Sequence, residues 1–410
     1  MDDGTIHVTK PESVGLSAQR LARITPWMAR YVSEGKLPGA LTLVARHGQV
    51  AYLDYTGFAD VESQAPVRAD TIFRFYSMTK PITSVAMMML YEEGRFQLSD
   101  PVSRFIPSFA DLKVFTGGRA DDYQVEPARR PMSIHDLFTH TAGLTYGFMQ
   151  ETPVDELYRR DKVGGVVFDG DLAALVERLS RLPLLSHPGE QWNYSVSTDV
   201  LGHLVELISG QSFDVFLQER IFAPLGMIDT GFHVPPQDVG RLAANYQREG
   251  PEGGLTLIDA PTTSSYLSPP KFLSGGGGLV STAADYLQFT QMLLNRGQLR
   301  GKRLLGAKTV DYMSRNHLDG DMAAMGQPVF SETSYDGIGF GLGFSVVLDP
   351  ARAQVLCSEG SYAWGGMAST AFWIDPREDL CVIFLTQLVP SSSYPIRDEL
   401  RVLVNQAITD

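Results

Sequence analysis

The order of strand-like and helix-like patterns constrains the fold of this chain more than any single motif. Residues 40–45 and 49–55 are predicted to form two strands joined by the turn Arg46-His47-Gly48. A helix is predicted just before them over 17–34, where Leu21, Ile24, Met28, Tyr31 and Val32 recur at helical spacing behind a capping Ser17. Pro26 implies a kink or a late start. Strand patterns return only at 343–348, 353–357, 368–374 and 381–386, and a last helix is predicted over 395–408. The stretch from about 98 to 294 reads as mostly helical, with helices at 134–139, 172–180, 198–208, 212–221 and 283–295. Glycine clusters at Gly117-Gly118, Gly253-Gly254 and Gly275 to Gly278 mark loops within it. Strands at both ends around a helical middle imply one α/β (α+β) domain built from residues 1–90 and 285–410, with a mainly helical domain, 91–284, inserted into it.

Composition narrows the function classes. The 410 residues are 44% apolar and 20% charged, enough to bury a sizeable core. Lys plus Arg number 34 against 47 Asp plus Glu, a formal net charge of −13, which argues against nucleic acid or an anionic membrane as partner. The acidic start Met1-Asp2-Asp3-Gly4-Thr5 is followed by no apolar segment of signal-peptide type, and no apolar run reaches the roughly 18 residues of a membrane helix. Two cysteines, Cys357 and Cys381, cannot make a disulfide framework; their strand patterns would allow them to be neighbours on adjacent strands, but free thiols are the expectation. The expectation is a cytoplasmic, reduced protein. His135 and His140, five apart, are not a helical ligand pair, and neither a metal nor an organic cofactor is implied.

Three stretches carry residues suited to chemistry. A helix is predicted from about 77 to 93, ended by Gly94, and it opens with Ser77-Met78-Thr79-Lys80. Residues three apart share a helix face, so an amine at Lys80 can take the proton of the Ser77 hydroxyl and make it a nucleophile. Pro81 requires that this be the first turn, where backbone N–H groups and the helix dipole favour developing negative charge. Two other Ser-x-x-Lys matches, at Ser33 and Ser268, are spoiled by a glycine at a helix end and by consecutive prolines. The second stretch, Pro188-Gly189-Glu190-Gln191-Trp192-Asn193-Tyr194-Ser195-Val196, offers a tyrosine; near a lysine ammonium its phenolate is favoured and it can act as a base, although a packed aromatic is the usual reading. The third, Gly360-Ser361-Tyr362-Ala363-Trp364-Gly365-Gly366-Met367, places paired glycines at a strand opening, where a substrate or another backbone can approach closely. A G-x-S-x-G elbow and a G-x-x-x-x-G-K-[ST] loop are both missing.

Ser-x-x-Lys, then Tyr194 117 positions later, then a glycine-bearing strand near the C-terminus resembles the serine β-lactamase and penicillin-binding-protein superfamily. Ser133-Ile134-His135-Asp136-Leu137-Phe138-Thr139-His140-Thr141-Ala142-Gly143-Leu144, Pro224-Leu225-Gly226-Met227-Ile228-Asp229-Thr230 and the glycine run through Asp285 look like its class C branch. Two departures point within it. Where class C enzymes have Tyr-x-Asn, this chain has Tyr194-Ser195-Val196; where they have Lys-Thr-Gly, it has Trp364-Gly365-Gly366, which is similar to the family VIII carboxylesterases. Valine cannot bond the amide of a β-lactam, and tryptophan cannot hold its carboxylate.

The resemblance implies a β-lactamase/transpeptidase-like fold, with an antiparallel sheet flanked by helices and an active site between the two domains. It implies acyl transfer through Ser77, with Lys80 and Tyr194 sharing the base role and the backbone N–H groups of Ser77 and Met367 as oxyanion hole. Trp364, Gly365, Gly366, Tyr76, Tyr146, Phe148, Trp192, Tyr266 and the Met367 side chain are candidates to line the site. The substrate expected is a small ester with a short or medium acyl chain. A true β-lactamase, an acyltransferase or small-amide hydrolase, and a catalytically silent binding protein are the alternatives.

Overall fold

The N-terminal hairpin forms the middle of a sheet. In the computed structural model, which describes residues 6–165, 168–250, 253–326, 329–330 and 333–410, Gly39–Arg46 (β1) is buried along its whole length, as a central strand must be. Gln49–Asp60 (β2) follows after a two-residue turn in which His47 and Gly48 both take left-handed backbone angles, the geometry that matches strand twist. Ala65–Pro66 (β3), Ile338–Phe340 (β4), Ser345–Val347 (β5), Tyr362–Gly365 (β6), Ala371–Asp375 (β7) and Leu380–Leu385 (β8) complete an antiparallel sheet of order β4-β5-β6-β7-β8-β1-β2-β3. The two ends of the chain meet at β1 and β8, with Leu43 opposite Ile383.

Helices cover both faces. Ile24–Ser33 (α1) and the C-terminal Ile396–Asn405 (α5) pack on one, burying Trp27, Met28, Leu400 and Val404 against Phe384, and the Trp27 indole donates to Glu399 at 2.6 Å. On the other face lie Thr79–Glu92 (α2) and Ala283–Leu294 (α4), with Ser197–Ser209 (α3) against α2. From Thr79 to Leu90 every residue of α2 is buried, the signature of a core helix rather than an amphipathic one. Among the described residues no single helix is long and apolar enough to cross a membrane.

Several expectations need correction. The helix expected over 17–34 is two, Ala18–Leu21 and α1, with Pro26 in the first turn of the second, where its missing N–H is harmless. Residues 353–357 are not a strand: Asp349 caps a short helix, Pro350–Ala353, and Gln354 ends it in the left-handed region. Cys357 is therefore off the sheet, while Cys381 pairs with Ala45 and Ile374 inside it; both thiols are free. Gly117-Gly118 is not a loop but part of a strand, Lys113–Arg119, paired with Asp122–Pro127 around a register shift. Helix 212–221 is Phe213–Leu217 running into a π-helical turn, Gln218–Phe222. The middle also contributes Asn245–Arg248 and Leu255–Asp259, which join Leu388–Val389 in a second sheet. Met1 to Thr5 lie outside the described residues.

Candidate active site

Ser77 sits in a single 3₁₀ turn, Tyr76–Met78, immediately before α2. Tyr76 holds left-handed backbone angles there (φ 44°), a conformation that costs a non-glycine residue energy and must be enforced by its surroundings. Those surroundings are Asn245, whose amide donates to the Tyr76 hydroxyl at 2.8 Å, and the Leu279 carbonyl, which accepts from Phe75 N at 2.9 Å. Burial pushes the Tyr76 phenol up to about 12. The end of β6 presses on the same turn. A Cβ on Gly366 would collide with the Phe75 carbonyl oxygen and the Thr370 hydroxyl, so the glycine is needed for backbone to pass backbone. Trp364-Gly365-Gly366 lies at the end of its strand rather than at the opening.

Lys80, 1% exposed, points its ammonium at three acceptors: Ser77 Oγ at 3.2 Å, Tyr146 Oη at 3.1 Å and the Gly276 carbonyl at 2.8 Å. Three N–H groups meet three acceptors, a fully satisfied buried cation. Tyr194 Oη lies 2.6 Å from Ser77 Oγ, and Lys80 Nζ stands 4.5 Å from the centre of the Tyr194 ring. The Trp364 indole donates to the same phenol at 3.4 Å. Hydroxyl, amine and phenol thus converge from three separated stretches of chain.

Ser77 and Tyr194 lie on the floor of a cleft of about 690 Å³ also lined by Tyr76, Tyr146, Phe148, Trp364 and Met367, with Lys80 buried beneath them. Phe148 stacks on Tyr146 at 4.6 Å and is 47% exposed at the mouth. Two expected lining residues are elsewhere. Trp192 is buried behind Tyr194 (ring centroids 6.4 Å apart) and against Tyr335 and Phe340. Tyr266 packs with Ile72, Val234 and Leu242, with the Arg74 guanidinium 5.5 Å from its ring. Both follow aromatic packing, which the sequence does not distinguish from substrate contact. Among the described residues no three His, Cys, Asp or Glu side chains are grouped to hold a metal ion.

A β-lactamase family model matches residues 24–406 of the chain. The chain belongs to the β-lactamase family. It is 36% identical over 365 residues to Protein Rv1367c of Mycobacterium tuberculosis, covering 88% of each chain. It is 33% identical over 394 residues to the esterase EstB of Burkholderia gladioli, covering 92% of this chain and 93% of that one. Its structure is similar to that of EstCE1, a hydrolase with promiscuous acyltransferase activity, with a TM-score of 0.79 at 29% identity over 94% of this chain and 99% of that one. The fold is β-lactamase/transpeptidase-like, and the coarse class is a serine hydrolase.

Placed on this β-lactamase framework, several polar residues around the triad were missed from sequence. Asp199, on α3, is buried; its carboxylate accepts from Ser274 Oγ at 2.6 Å and Gly276 N at 2.9 Å, and burial pushes its carboxyl above the ordinary pKa range, making it a weaker acid. The residue it holds by its N–H, Gly276, is the one whose carbonyl, in the next peptide group, receives Lys80. A Cβ on Gly276 would lie 2.6 Å from the Asp199 carboxylate and 2.9 Å from Tyr146 Oη. Burial, then Asp199 and Tyr194, push the Tyr146 phenol well above its usual range. His140 is also buried, with a left-handed backbone; its ring centre is 5.1 Å from that of Tyr194 and its Nδ1 is 3.1 Å from Ser195 Oγ. Burial and the Lys80 charge depress its basicity, so it stays neutral. The available signal for Asp199 was an acid at the start of a helix pattern whose following apolar positions are Val200, Leu201, Leu204, Val205 and Ile208.

Proposed function

We propose that this chain is a carboxylesterase that hydrolyses short- and medium-chain acyl esters through an acyl-enzyme on Ser77. One observation carries the reading: Ser77 Oγ is within hydrogen-bond reach of both Tyr194 Oη (2.6 Å) and Lys80 Nζ (3.2 Å) on the floor of a cleft whose Lys-Thr-Gly cation is replaced by Trp364. In this reading Ser77 passes its proton to Tyr194 as Oγ attacks the ester carbonyl. The Lys80 ammonium, with its other two N–H groups held by Tyr146 and Gly276, stabilises Tyr194 as the phenolate that takes this proton, and the negative charge passes to the tetrahedral oxygen as Oγ attacks. Tyr146 takes no part as base, since it touches Lys80 rather than Ser77 and its proton is held tightly. The tetrahedral oxygen lies between the backbone N–H groups of Ser77 and Met367. Collapse expels the alcohol, which takes the proton back from Tyr194; water then repeats the sequence on the acyl-enzyme.

Val196 and Trp364 count against a β-lactam substrate, because neither can supply a polar anchor for its amide or carboxylate. The aromatic lining favours acyl transfer to an added alcohol as a second activity, in keeping with the similarity to EstCE1, a hydrolase with promiscuous acyltransferase activity. A chromogenic panel of acyl esters with one activated cephalosporin and one amide tests the reading. Butyrate-range esters are expected to give the highest kcat/KM, and Ser77→Ala to abolish turnover in a folded protein. Turnover that survives Ser77→Ala, or a preference for the cephalosporin, overturns it; product partition with an added alcohol measures the second activity.

A further inference from the structure

We propose that Arg397, from the first turn of α5, is a positioning residue that tightens the oxyanion hole; this rests on the reading above, in which Met367 N–H is a hole donor. Arg397 Nη2 donates to the Gly366 carbonyl and to the Thr370 carbonyl, both at 3.3 Å. Gly366 O also accepts Ser369 N at 3.1 Å, and Gly366 N donates to Thr370 O at 2.8 Å. The Gly366 carbonyl belongs to the same amide as Met367 N–H, and this peptide is trans, so its two dipole ends point in opposite directions. Donors on the carbonyl, one of them a cation, polarise the amide and strengthen its N–H as a donor, by about 10–30% per bond. They also fix the plane of the peptide, and hole donors act only when already aimed at the developing charge.

The glycine pair gains a physical reason from this contact. A Cβ on Gly365 would overlap the Arg397 guanidinium. The threonine of a Lys-Thr-Gly motif therefore cannot coexist with the guanidinium in this position, and glycine at 365 is what lets a cation reach the far side of the hole from α5. Both Arg397 and Met367 border the cleft, so the strut is built into the wall itself.

The test uses Arg397→Gln and Arg397→Lys with a neutral butyrate ester and with a trifluoromethyl ketone, whose hemiketal oxygen occupies the hole. Arg397→Gln is expected to lower kcat about 10- to 100-fold, part of the loss known for removing a hole donor. KM should stay within about twofold, the ketone Ki should rise by the same factor as kcat falls, and Arg397→Lys should recover part of both. Melting temperature and rate of fluorophosphonate labelling at Ser77 are followed alongside. An unchanged kcat and Ki in folded Arg397→Gln overturns the proposal, as does a loss carried by KM, which would make Arg397 a substrate contact. Failure of the wild-type protein to label at Ser77 overturns the catalytic reading and this inference together.

Discussion

Ser77 and Tyr194 stand 117 positions apart in sequence, yet their hydroxyl oxygens are 2.6 Å apart. This contact is the shortest path for a proton out of Ser77. Tyr194→Phe keeps the ring packing against Trp364 and His140 and removes the hydroxyl, and with it that path and the acceptor of the Trp364 indole. It should lower kcat/KM at least about 100-fold, the range for a general base, with an unchanged melting temperature. Lys80→Met should cause a loss of similar size. A mild effect in either variant, measured by steady-state ester hydrolysis, removes that residue from the proton transfer.

Asp199 holds the N–H of Gly276, whose carbonyl in turn holds Lys80. Ser274 Oγ and Gly276 N donate to the same oxygen, Asp199 Oδ1, so Asp199→Ala leaves both donors without their acceptor. The expected cost is about 1.5–3 kcal/mol of stability, as for hydrogen bonds to a charged group. Loosening of Gly276 should also reduce kcat by at least about tenfold, because misplaced catalytic groups lose rate steeply. Urea unfolding and single-turnover kinetics check the two parts separately.

Asp285, near the start of α4, accepts from Asp229 N at 2.7 Å and Thr230 Oγ1 at 2.8 Å, but burial dominates and pushes its carboxyl from 3.8 up to about 6. The native state therefore binds this proton more tightly than the unfolded state does. Its contribution is fully present below about 4 and is lost as pH rises to about 6, worth on the order of 3 kcal/mol. Stability curves of wild type and Asp285→Asn should diverge across that window, with the wild type losing ground as pH rises. Parallel curves would exclude the assignment.

Phe148 stacks on Tyr146 at the cleft mouth and is 47% exposed. Phe148→Ala should change stability by no more than about 0.5 kcal/mol, as for most surface positions. It should lower kcat/KM for octanoate esters more than for acetate esters, since only a longer acyl chain can reach the mouth. Equal effects on both would place Phe148 outside the acyl path.

The sheet was legible because its strands carry their own pattern: β1 is an apolar run and β2 follows a turn whose two residues tolerate left-handed angles. The segment 353–357 misled for a local reason. Its apolar alternation is real, but Asp349-Pro350 upstream nucleates a helix, and Leu356 is left half exposed. Trp192 and Tyr266 show the converse limit, since a buried aromatic behind a site and one facing a substrate have the same composition.

By itself, the sequence determined the strand-rich ends, the helical middle, the Ser77–Lys80 spacing on one helix turn and the replacement of two polar anchors by Val196 and Trp364. Those are properties of periodicity and residue type, which are local. Only the tertiary structure decided that Asp199, Gly276 and Tyr146 enclose the lysine, that His140 backs Tyr194, and that Arg397 reaches the Gly366 carbonyl from the last helix. Each of these depends on contacts between elements tens to hundreds of residues apart, and the buried polar atoms found their partners only when the sheet and helices closed around them.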